Sequence, residues 1–126
     1  MGMSTGFLQL STELDKVGLI WHPEIGDEVA YRARLEEISI FVDPLGLTPK
    51  ELREHFLWLP TVEQIVQQFE ARQAVIYHAG LNQSFAYETV IKTAEGVIET
   101  AGTSLRLAFG QALYELLNQK QKEFVH

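Results

Sequence analysis

At 126 residues, 46% apolar and 21% charged, the chain has the length and composition of one globular domain, which excludes the disordered, collagen-like and coiled-coil classes. A formal net charge of −7 without any Lys/Arg cluster argues against nucleic acid, whose binding depends on neutralising phosphates. The absence of cysteine removes disulfides, thiolate nucleophiles and sulfur-ligated zinc or iron–sulfur centres, and no apolar run approaches the ~20 residues that span a bilayer.

Residues 1–15 have neither a basic start nor a continuous apolar segment. They predict no leader peptide and a poorly ordered start to the chain, and with the missing cysteines they point to the cytoplasm. "VGLIWHP" (17–23) and "EISIFVD" (37–43) read as strands closed by Pro23 and Pro44, with a turn from Pro23 to Asp27. Between them, residues 28–35 alternate: Val29, Tyr31, Ala33 and Leu35 on one side, Arg32 and Arg34 on the other. This predicts a strand; a helix is the alternative, because Glu28 precedes Arg32 by four residues.

Thr48-Pro49-Lys50-Glu51 is a capping box with proline at the first helical position, and predicts a short helix over about 49–57. Pro60 then turns the chain, and Thr61 with Gln64 forms a second capping box. Val62, Ile65, Val66 and Phe69 give the following helix, about 61–73, one apolar stripe. "AVIYHAG", "SFAYETVIKT" and "VIETA" read as a three-stranded meander joined by "GLNQ" and "TAEG". In its middle strand Phe85, Tyr87, Thr89 and Ile91 share a face opposite Glu88 and Lys92.

The last element, about 104–119, carries the strongest pattern. Leu105, Ala108, Phe109, Ala112, Leu113, Leu116 and Leu117 form an unbroken helical stripe, with Thr103 or Ser104 as the N-cap. A stripe of this kind must be covered by a sheet or another helix. Gly110 near Ala108 and Ala112 permits close approach of a strand, or of a helix from a second copy. The fold read from these patterns is α+β: an antiparallel sheet of about four to six strands packed against two main helices and one short helix, as a single domain over 1–126.

From "WLPT" (58–61) through a helix, three short strands and a last helix containing "ALYELL" (112–117), the C-terminal half resembles the small αβ "ABA-sandwich" domains of phage-associated proteins. Those domains have no established activity, so the resemblance implies a fold and not a function.

Two stretches are candidates for function. Trp21, His22, Asp27 and Glu28 gather an imidazole and carboxylates at a turn, a composition suited to a ligand or cation; a solvated turn has the same composition for backbone reasons. Phe56, Leu57, Trp58 and Leu59 place four large apolar side chains at the joint between two helices. Packed inward they close the core, and left outside they bind a partner. The serines lack a nucleophile-elbow context and the glycines form no phosphate loop. The sequence therefore reads as a non-catalytic interaction or regulatory module, a homodimer or partner-binding protein joined through Phe56–Leu59, without cofactor or metal. The alternative is a small-ligand or metal-dependent enzyme at the Trp21–Glu28 turn.

Overall fold

The computed structural model describes residues 5–124, with side chains from 6 to 119. Among them are four helices and six strands, so the class is α+β; the strands lie in two three-stranded antiparallel sheets, not in one. The chain forms two compact units, Met1–Pro60 and Thr61–His126.

The first unit opens with a helix that the sequence reading left unassigned, α1 (Thr5–Lys16). Phe7, Leu10 and Leu14, spaced i, i+3 and i+7, are its buried stripe. It closes at Gly18, whose φ of 102° lets the Leu19 amide reach back to the Leu14 carbonyl at 3.0 Å. The segment 17–23 forms no strand, contrary to its composition. Its first residues complete that helix end, and Trp21 is turned into the core.

Residues 28–35 do not make one strand either. β1 (Glu28–Tyr31) turns at Arg32 and Ala33 into β2 (Arg34–Ile40), with Tyr31 opposite Arg34. The capping box of this unit behaves as predicted. Thr48 caps α2 (Pro49–His55), its hydroxyl accepting from the Glu51 amide while Glu51 reaches back to the Thr48 amide. The helix ends two residues early, because Phe56 is extended (φ −123°, ψ 141°) and begins β3 (Phe56–Trp58). Three residues of β3 pair with β1, so that β1 is satisfied on both edges in the order β2-β1-β3. Trp21, Val29, Phe41 and Leu52 form the core beneath, flanked by Leu47, Phe56 and Trp58. Trp21 stands edge-on to Phe41 and Phe56, with ring centroids 5.4 and 6.3 Å away.

The Thr48 bonds hold the Glu51 carboxyl below the usual glutamate range, the backbone amide more than the hydroxyl. A lowered folded pKa stabilises above the unfolded value and is lost as pH falls through the folded one. Acidification should therefore loosen α2 at its N-terminus. Titration of the Glu51 side-chain carbon by NMR is expected to give a lower midpoint in the protein than in a peptide of residues 47–56. Equal midpoints would remove the cap from the folded state.

In the second unit Thr61 and Gln64 cap α3 (Val62–Ala71) reciprocally, as predicted. The meander follows as β4 (Val75–Leu81), β5 (Tyr87–Thr93) and β6 (Gly96–Gly102), hydrogen-bonded in that order. Phe85 does not share the buried face. The Asn82 side chain accepts from the Ser84 and Ala86 amides, which takes Phe85 out of the strand at φ 62° and leaves it 83% exposed.

The last helix, α4 (Leu105–Phe124), starts at Ser104, whose hydroxyl accepts from the Leu107 amide at 3.1 Å. It lies on β5 and β6 and against α3, burying Ala108, Phe109, Ala112, Leu113, Leu116 and Leu117; Gly110 is buried with them. A polar chain crosses the interface: the Thr100 hydroxyl donates to the Ala108 carbonyl at 2.7 Å, and Thr89 and Thr100 hydroxyls are 2.7 Å apart. Since the one Thr100 proton goes to Ala108, Thr89 donates to Thr100. A Cβ on Gly102 would lie 3.0 Å from Leu107 Cβ and 3.1 Å from the Ala108 nitrogen, so the strand-to-helix corner is built around a missing side chain. Gly102→Ala should cost ~1–3 kcal/mol by overpacking, measured by urea denaturation. An unchanged midpoint would mean that this corner is loose.

Candidate functional site

The Trp21–Glu28 turn is held from within. Asp27 is buried, and its Oδ2 accepts from Trp21 Nε1–H at 2.8 Å and from the Glu24 amide at 2.9 Å. Gly26, at φ 101°, donates its amide to the Phe41 carbonyl, and Phe41 donates to the Asp27 carbonyl, both at 2.8 Å. The carboxylate thus fixes an indole and a turn amide instead of facing solvent. Of the other candidates, Trp21 is buried, His22 is exposed and Glu28 is half-buried at the start of β1. Among the described residues no group of three or more His, Asp or Glu side chains is placed to hold a metal ion.

Phe56–Leu59 is divided by the pleat of β3. Leu57 is 2% and Leu59 0% exposed, while Phe56 and Trp58 are half-buried on the opposite side. Of these four, Phe56 reaches a surface feature that sequence reasoning missed. Its ring lies 5.1 Å from that of Tyr31, and the two rings line a pair of concavities of about 360 and 180 Å³. Leu45 lines both as well, between them.

The position of Leu45 is unusual. Leu45 (φ 54°) and Gly46 (φ 75°) are both left-handed, at the centre of a turn closed by the Leu47 amide on the Pro44 carbonyl at 2.8 Å. Asp43 Oδ1 accepts from the Leu45 amide at 2.9 Å. Left-handed geometry costs a non-glycine residue ~1–2 kcal/mol, and here the residue so held is an apolar one, 73% exposed. Beside it Ile40 and Val42 are also exposed, at the end of β2, the strand at one edge of its sheet. The arrangement is an aromatic-lined groove beside an open sheet edge. The polar side chains at its rim include Arg32, whose guanidinium is engaged by both Asp15 oxygens at 3.2 Å and by the Arg53 carbonyl at 2.7 Å. Nothing local in the sequence said that Tyr31 and Phe56 would stand beside this turn.

The second unit also exposes apolar side chains, Val75, Tyr77 and Leu81 on β4. This surface is interleaved with charge: Lys92 Nζ lies 4.2 Å over the Tyr77 ring, and His78 Nε2 is 3.4 Å from Glu88 Oε1. A bulge between Ile76 and His78 interrupts the strand, a common device against edge pairing.

No family model matches the chain, and no curated protein or solved structure matches it. Among the described residues no helix is long and apolar enough to cross a membrane.

Proposed function

We propose that this chain is a non-catalytic interaction module that self-associates through the Tyr31–Leu45–Phe56 groove and the adjoining edge of β2. The observation that carries the reading is Leu45: an exposed leucine held in a backbone conformation that disfavours it, between two concavities lined by aromatic rings. Phe85 is held left-handed and exposed by the Asn82 turn; what sets Leu45 apart is that it lines both concavities with Tyr31 and Phe56. A second copy is the favoured occupant. An edge strand offers unpaired amides and carbonyls to its like, and a two-fold contact is satisfied by one self-complementary patch. β2 also carries Arg34 and Glu37, which form an exposed ion pair at 3.2 Å and can exchange partners across an antiparallel pair. The Asp27 carboxylate, committed to Trp21 and Glu24, speaks against a metal or ligand centre at the Trp21–Glu28 turn.

Leu45→Asn tests the reading without endangering the fold, because asparagine tolerates the left-handed region. The variant is expected to be more stable by about 1 kcal/mol and to run as a monomer in light scattering, where the parent chain runs as a dimer. A parent chain that is monomeric at every concentration, or a variant that still dimerises, would contradict the proposal.

A further inference from the structure

A small cavity in the first unit carries an inference independent of the groove. It measures about 20 Å³ and its lining includes Ser11 and Asp15 from α1, Arg32 and Arg53, and Trp58 from β3. Two residues of that lining each carry a buried polar atom, Ser11 Oγ and Trp58 Nε1, with no hydrogen-bond partner among the described residues. Ser11 as a whole is only 1% exposed. A buried donor left without a partner costs ~1–3 kcal/mol, so two around one cavity point to an occupant that satisfies both.

The donor and acceptor chemistry of the lining identifies the occupant. The Trp58 indole N–H can only donate, so the occupant must accept, which excludes ammonium and metal cations. Asp15 lines the same cavity, so an anion would sit beside a carboxylate. The Arg32 guanidinium, which would favour an anion, already holds both Asp15 oxygens. Arg53 in turn donates Nη1 to the Trp21 carbonyl at 2.9 Å. A space of ~10–15 Å³ suffices for one water, and phosphate or sulfate is far larger. We infer that this cavity is a binding site for a single water molecule that accepts from Trp58 Nε1–H and bonds the Ser11 hydroxyl. The water joins α1 to β3 within the first unit. It supplies the polar contact that neither side chain makes directly.

A high-resolution crystal structure of the whole chain, grown with bromide in place of chloride, tests the site. The expected result is one peak without anomalous signal, within ~2.7–3.2 Å of both Ser11 Oγ and Trp58 Nε1. An anomalous bromide peak at that position would make it an anion site, and a cavity without density would leave both groups unsatisfied; either outcome overturns the inference. In solution, the Trp58 indole proton of the parent chain should show cross-relaxation with a long-lived water; a parent chain without that cross-peak would count against the water.

Discussion

Phe69→Ala is expected to destabilise the second unit by ~3–5 kcal/mol. Phe69 is 0% exposed near the end of α3, and its ring meets Phe109 of α4 at 6.1 Å with a 52° tilt. Truncation removes the transfer free energy of the ring and leaves a cavity where the two helices meet. α3 has ten residues, too few to persist as a helix without tertiary packing, so the loss should be felt along all of it. For a domain of ordinary stability, ~5–15 kcal/mol, this is a large share of the total. Phe85→Ala is the matched control. The same truncation at a residue 83% exposed should change stability by no more than ~0.5 kcal/mol. Denaturant unfolding of both variants checks the pair, and equal effects would mean that α3 and α4 do not meet as described.

Asp27→Ala comes next, at about 3 kcal/mol. The carboxylate receives two hydrogen bonds, from an indole and a backbone amide, and charge-assisted bonds contribute ~1.5–3 kcal/mol each before non-additivity is allowed for. The substitution also strands the Trp21 N–H in the core. Asp27→Asn retains a carbonyl acceptor and should recover part of the loss. A destabilised Asp27→Ala with red-shifted Trp21 emission, together with a melting temperature of the parent chain insensitive to divalent metals, is the expected outcome. A metal bound at this turn would instead raise stability by ~2.7 kcal/mol at a hundred times its dissociation constant. That rise would contradict a purely structural Asp27.

The elements legible in the sequence are those with local causes. Thr48/Glu51 and Thr61/Gln64 form their capping boxes within four residues, and both helices start where those residues place them. The closing helix was readable because its stripe repeats over three turns, and it lies on the meander that its pattern demanded. What escaped depends on partners distant in the chain. Phe56–Trp58 continues the apolar pattern of a helix, yet pairing with β1, more than twenty residues earlier, makes it a strand. "VGLIWHP" has strand composition, but Gly18 closes a helix and Trp21 is claimed by Asp27. The reading of 28–35 as one strand overlooked a two-residue turn made of Arg32 and Ala33, neither of them a usual turn residue. The groove was invisible for the same reason. Tyr31, Leu45 and Phe56 come from three separate segments, and only the packed sheet sets them side by side.

Amide and methyl chemical shifts followed through a dilution series bear most directly on the proposal that the groove is a contact surface. Concentration-dependent shifts confined to Tyr31, Ile40, Val42, Leu45 and Phe56 are the expected result. A spectrum unchanged on dilution, or changes gathered on Val75, Tyr77 and Leu81 of β4 instead, would contradict it.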